Sequence, residues 1–298
     1  MREVTTVPNR SLVLLSYGGR DEQVAETKYA VLSAHRLVRP SDDIEVVLYT
    51  DNPSKFDDMP VRLRPIAQEE LAAWAGPGDY QFRRKLEVLR DALKQTGHPV
   101  VFVDSDTWFR KPPARLFDRI GRDQSVMHAR EGSLRGPQFT PHHRQFVDCL
   151  QRRVWKTSSG SPLNISTDVM WNSGVIGLDP LNSVLVDDAL ALVDQVGCSE
   201  CHLWCLEQFA IGYFLMRSTD VSAAYHVVFH YWRSDLRETF RPTLLRELDR
   251  TADLAAKERA EELHRFRPRL HGVDKLKYII KQAYRLTGGV WSVQGNAT

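Results

Sequence analysis

The chain has no long apolar run, little cysteine and almost no net charge, and each shortage removes a class of protein. No stretch of its 298 residues approaches the roughly 20 consecutive apolar residues that a membrane-spanning helix needs. The opening residues, MREVTTVPNRS, lack the apolar centre of a secretory signal, so a cytoplasmic protein is expected. Four cysteines, Cys149, Cys198, Cys201 and Cys205, do not make the disulfide framework of a small secreted domain in a chain this long. Cys198, Cys201 and Cys205 fall at i, i+3 and i+7 with His202 beside them, a spacing that raises a zinc site. The second half of a paired C-x-x-C is missing, so buried free thiols on one helical face are expected instead. There is no internal repeat and no low-complexity stretch.

The net charge of +2 hides an uneven distribution. From Arg265 onward, seven basic residues stand against one acid, Asp274, which puts +6 on the tail and leaves −4 on the remainder. One basic tail is narrower than the surface that nucleic acid requires, so no nucleic-acid partner is expected. The tail suits either peripheral contact with an anionic membrane or a solvated cap on the rest of the protein.

What is present is enough for a packed core: 42% of residues are hydrophobic and 26% charged, the balance of a globular protein. SLVLLS (11–16) reads as a buried strand that ends on the turn Tyr17-Gly18-Gly19, and a helix follows over 21–38. IEVVLYT (44–50) is a second strand, closed by Asp51-Asn52-Pro53. Phe82, Leu86, Leu89 and Leu93 recur at helical spacing before VVFV (100–103). This alternation predicts an α/β fold, a mostly parallel sheet flanked by helices. Residues 126–165 are expected to be loops with a short helix near 144–155. NSGVIGL (172–178) is a strand, helices are expected over 180–196 and 203–215, and 223–232 is strand-like and ends on His230. Beyond it the pattern is helical: one helix through Leu248, Ala252, Ala255, Leu263 and Phe266, then a last one through Leu276 and Ile280. The expected organisation is a catalytic domain over 1–235 and a basic helical extension over 236–298.

The stretch with the clearest chemistry is VVFVDSDTWF (100–109). Residues two apart on extended chain point to one side, so Asp104 and Asp106 face a common spot where the strand emerges. Two carboxylates held that close repel unless a cation lies between them or one is protonated, and a hard divalent ion such as Mn2+ or Mg2+ resolves the conflict. Ligands of open α/β sheets bind beyond the carboxyl ends of strands, which is where this pair falls.

The order of the segments resembles nucleotide-sugar glycosyltransferases of the GT-A (Rossmann-like) fold, in particular glycosyltransferase family 8 and related bacterial enzymes. The similarity spans about residues 11–235 and rests on RRKLEVLRDAL (83–93), VVFVDSDTWF, KPPARLF (111–117), WNSGVIGL (171–178), EQF (207–209) and FHYW (229–232). It implies a nucleoside-diphosphate-sugar donor, most often a UDP-sugar, held through a metal on Asp104 and Asp106, with ribose contact from Asp104 or Ser105. It implies a histidine as a further metal ligand, for which His230 is the first choice and His271 a rival. By the same resemblance Tyr17 and Asp51 lie near the base or ribose, and Arg84 and Lys85 face the diphosphate. Asn172, Ser173 and Gly174 contact the donor sugar. Glu207 and Gln208 flank the anomeric carbon, as a base for the acceptor hydroxyl in an inverting reaction or as front-face support in a retaining one. The acceptor would be a glycan, a lipid-linked or a small-molecule hydroxyl. Family 8 is retaining, yet this chain has Glu-Gln where that family more often has an aspartate.

Two other readings compete. VDSDT also resembles the opening of a haloacid-dehalogenase-type phosphatase, although Trp108 departs from that motif and two strands precede it. The other is a catalytically inactive protein that binds a nucleotide sugar.

Overall fold

The computed structural model describes residues 9–267 and Ile280. The first half comprises β1 (Arg10–Ser16), α1 (Asp21–His35), β2 (Ile44–Thr50), β3 (Arg62–Pro65), α2 (Gln68–Ala73), α3 (Arg83–Thr96), β4 (Val100–Val103), β5 (Thr107–Phe109), α4 (Ala114–Phe117) and β6 (Gln124–Ser133). It continues with α5 (Pro141–Gln151), β7 (Val154–Lys156), β8 (Pro162–Asn164), β9 (Val169–Leu178), α6 (Ser183–Gly197) and α7 (Leu206–Ser218). The last described elements are β10 (Asp220–Ala223), β11 (Val228–His230), α8 (Ser234–Arg250) and α9 (Ala256–Leu263).

Seven strands form one sheet in the order β10-β6-β9-β4-β1-β2-β3. All run in one direction except β9, which is antiparallel to both β4 and β6. Successive residues of β1 and β4 enter different cores. Val13, Leu15 and Phe102 pack with Leu86 and Leu89 of α3, Leu190 of α6 and Phe209 of α7. Leu12, Leu14, Val101 and Val103 pack with Tyr29 of α1, Phe240 and Leu244 of α8 and Leu263 of α9. Helices cover both faces, which is why these strands are apolar throughout rather than alternating. Each fully buried leucine or valine contributes about 1.5–3 kcal/mol. The fold is α/β with a mostly parallel, Rossmann-like central sheet, and the helices beyond residue 235 share its second core.

Three expectations are corrected. Residues 126–165 are not mainly loop: β6 pairs with β9 and β10, and α5 begins at Pro141. The charged and small residues of QSVMHAREGS disguise β6, and its two register shifts, at Met127/Ala129 and Arg130/Gly132, break the alternation. The helix expected through Leu248 and Phe266 is two helices. The Thr251 hydroxyl bonds back to the Glu247 carbonyl at 2.7 Å, Ala255 is extended, and Arg259 then pairs with Asp58 at 2.6 Å. Finally, the clustered cysteines do not share one helical face and are not all free: Cys198 and Cys205 are free thiols, and Cys201 is not. Cys149 of α5 is disulfide-bonded to Cys201, which lies in the connection between α6 and α7. Cys198 is exposed and Cys205 half-buried.

The final helix expected through Leu276, the basic surface it would carry and His271 lie outside the described residues. Among those described, no helix is long and apolar enough to cross a membrane.

Candidate functional site

Parallel strands leave their carboxyl ends on one side of a sheet, and the turns that follow β1 and β4 meet there. They border a cavity of about 530 Å3 lined by, among others, Tyr17, Lys85, Asp104, Asp106, Asn172 and Glu207. The Thr107 hydroxyl donates to the Asp104 carbonyl at 2.7 Å and closes the DSD turn. β5 then pairs antiparallel with β11, setting His230 opposite Thr107. The Tyr231 amide donates to the Asp106 carbonyl at 2.9 Å. This small ladder carries a histidine 124 residues distant in sequence onto the aspartates.

One ligand atom from each of Asp104, Asp106 and His230 lies within 4.8 Å of the others. The His230 Nε2 atom is 3.1 Å from Asp106 Oδ1 and 3.7 Å from Asp104 Oδ2. On its other side, Nδ1 is 2.9 Å from Asn172 Oδ1. That oxygen already accepts the Gly174 amide at 3.0 Å and can only accept from the ring as well, so Nδ1–H donates to it and Nε2 is left turned to the carboxylates. A histidine oriented through its second nitrogen in this way is a common feature of metal sites. Gly174 is required by the same ring: a Cβ there would stand 2.1 Å from His230 Nδ1.

Cations surround the acids. Lys85 Nζ lies 2.9 Å from Asp104, 3.0 Å from Ser173 Oγ and 3.7 Å from Glu207. Burial alone would lower the Lys85 ammonium, but Asp104 and Glu207 outweigh it and hold its pKa above the ordinary value. Arg237 presents one nitrogen to Asp106 Oδ2 at 3.2 Å. Its other two bond the fully buried Glu26 carboxylate at 3.0 and 2.7 Å. Although burial opposes the charge of Asp106, the His230 ring, Arg237 and Lys85 keep its carboxyl well below the usual range.

A second acidic region lies across Lys85. Glu207 is buried at the start of α7 and receives a short hydrogen bond from the Tyr80 hydroxyl. That hydroxyl accepts the Leu206 amide at 2.9 Å. Burial raises the Glu207 carboxyl above its ordinary pKa despite Lys85 and Tyr80 beside it. Gln208 accepts the Ser173 amide at 3.0 Å, and its Nε2 donates to Glu131 Oε2 at 3.1 Å. Glu131 also accepts from Asn172 Nδ2 at 3.1 Å.

No protein-family model matches this chain. No curated protein matches it either. The site therefore stands on its own geometry, and the sequence-expected residues fall into two groups. Tyr17, Lys85, Asp104, Ser105, Asp106, Asn172, Ser173, Glu207, Gln208 and His230 all line the cavity. Gly174, Asp51 and Arg84 are not among the residues that line it. Asp51 accepts the Gly18 amide at 3.1 Å, beneath a turn in which Gly18 has a φ of 78°. The Arg84 guanidinium lies 4.8 Å from the centre of the Tyr17 ring, and its Nε donates to the Leu71 carbonyl at 2.9 Å.

Three residues escaped the sequence reading: Tyr80, Glu131 and Arg237. Each belongs to a segment without a motif, and only the tertiary fold brings it to the acids. Two carboxylates and an imidazole converge here with the imidazole pre-aimed, a mixed oxygen and nitrogen donor set of the kind divalent metal ions take. The residues fit a divalent cation.

Proposed function

We propose that the protein is a metal-dependent glycosyltransferase of GT-A type that uses a nucleoside-diphosphate sugar, a UDP-sugar being the leading donor. The observation that carries this reading is the convergence of Asp104, Asp106 and His230 at strand ends, in the cavity that also holds Glu207. A divalent ion bound there would neutralise charge that develops on the departing diphosphate. Lys85 and Arg237 add fixed positive charge next to the same carboxylates, and Arg237 needs no reorganisation because Glu26 already orients it. Tyr17, stiffened by Arg84, offers a flat face for the base. Asn172 and Ser173 supply the polar contacts for the donor sugar.

Glu207 is the group for the acceptor. Its carboxyl is buried in the cavity between Lys85 and Tyr80, which places it to take a proton from an attacking hydroxyl. In a retaining reaction, Glu207 or Gln208 would instead support the cationic sugar from the front face. The acceptor hydroxyl would belong to a glycan, a lipid-linked or a small molecule.

The test is product analysis. The protein is incubated with a panel of nucleoside-diphosphate sugars, with Mn2+ or with EDTA, and free nucleoside diphosphate is measured. Metal-dependent release of UDP from a UDP-sugar is expected. Release of inorganic phosphate from phosphomonoesters, with every nucleotide sugar intact, would favour the phosphatase reading.

A further inference from the structure

Two tryptophans are left in solvent, Trp204 at 75% exposure and Trp232 at 52%, and both line the cavity that holds Glu207 and the acidic triad. A single exposed indole is ordinary, but two that border one polar cavity offer flat amphipathic faces to whatever enters it. They come from separate connections: Trp204 precedes α7, and Trp232 follows β11.

The backbone under Trp204 is fixed although its ring is not covered. Its carbonyl oxygen is 2.8 Å from the Tyr80 hydroxyl, whose single proton is shared between this carbonyl and Glu207. Three residues earlier, Cys201 is tied to Cys149 of α5. The Phe82 ring meets the indole edge to face, with centroids 5.5 Å apart and planes at 72°. Trp204 is thus a presented platform, linked through one tyrosine to the carboxylate assigned to the acceptor.

We infer that Trp204, assisted by Trp232, binds the acceptor, and that the acceptor therefore ends in a pyranose ring. The axial C–H bonds of a pyranose make an apolar face that stacks on an indole, while its hydroxyls stay available to polar groups such as Glu207. A platform for this role must be flat, rigidly held and open to solvent before the acceptor arrives, and Trp204 meets all three conditions. The inference rests on the glycosyltransferase reading and narrows its acceptor class. Tyr17 remains the residue for the base.

The test is saturation-transfer NMR of the full chain, loaded with UDP and Mn2+, against methyl pyranosides of glucose, galactose, mannose and N-acetylglucosamine. Calorimetric UDP titration runs in parallel. The expected result is saturation of the axial ring protons of at least one glycoside. It should be weakened about tenfold in W204A, largely kept in W204F and reduced in W232A, with UDP affinity unchanged in all three. Wild-type protein that binds UDP but no pyranoside overturns the inference and leaves the donor reading intact. So does a W204A variant that loses UDP affinity, which would make Trp204 a base-stacking residue. Failure of the wild type to bind UDP at all would instead defeat the parent reading.

Discussion

Gly174 and His230 occupy adjoining space so closely that a single methyl group at 174 would stand 2.1 Å from the imidazole Nδ1. The glycine of the N-S-G segment is therefore explained by the histidine behind it. G174A is expected to displace His230 and weaken Mn2+-dependent UDP binding by at least about tenfold, about 1.4 kcal/mol. Circular dichroism should report an intact fold. A G174A protein with wild-type metal dependence would remove His230 from the ligand set.

Glu207 should matter for turnover and not for donor binding. E207Q keeps the size of the side chain and its contact with Tyr80 but cannot take a proton. Loss of a positioned base costs about 100-fold or more in rate. Steady-state kinetics with the donor found by product analysis should show that loss in kcat, with UDP affinity unchanged by calorimetry. Equal kcat in E207Q would exclude Glu207 as the base.

The Glu26 carboxylate, fully buried, accepts four hydrogen bonds from Arg237 and Arg241 at 2.7 to 3.1 Å. Removing one partner of a buried pair leaves the remaining charge uncompensated, which typically costs about 3–5 kcal/mol. Both arginines are partly exposed, so E26A should fall at the lower end of that range in urea unfolding. It should also loosen Arg237 and reduce UDP affinity. An E26A protein as stable as the wild type would mean that the arginines rehydrate freely.

Acid sensitivity should come partly from Asp58, which pairs with Lys28 at 2.7 Å and with Arg259 at 2.6 Å. Burial opposes its charge, but the hydrogen bonds and charges of those two residues prevail and lower its pKa. The native state thus binds this proton less readily than the unfolded chain. The stabilisation is present above the unfolded aspartate value of about 3.9 and is lost as pH falls through the lower native value. Thermal melts should show D58N less stable at pH 7 and flatter below pH 4. Parallel acid limbs for the two proteins would contradict this assignment.

The cysteine pairing is directly checkable by peptide mapping without reduction. Cys149 and Cys201 should appear linked and Cys198 should alkylate readily. Because the bond spans 52 residues, its reduction should lower stability by about 2–4 kcal/mol. Recovery of all four cysteines as thiols under native conditions would contradict the pairing.

Much of this was legible in the chain itself, for identifiable reasons. β1, β2 and β4 are apolar on both faces, so they announce themselves as central parallel strands. The DSD turn follows one of them directly, and this local arrangement exposed the two aspartates. β6 was hidden because its stability comes from neighbours on both sides rather than from its own alternation. The same holds for Glu131, which β6 carries into the site at a bulge. Arg237 and Tyr80 act through contacts with Glu26 and Glu207 that are 211 and 127 residues away in sequence, and no local pattern encodes them. The disulfide was missed because spacing suggested a helix where the chain forms a loop.

The most direct test of the central claim is calorimetric titration of UDP into the full chain with Mn2+ and with EDTA, repeated on D106N. The account predicts binding that needs the metal and disappears in the variant while its melting curve stays cooperative. Metal-independent binding, or equal binding by D106N, would mean that the acids beyond β4 do not hold a metal for UDP.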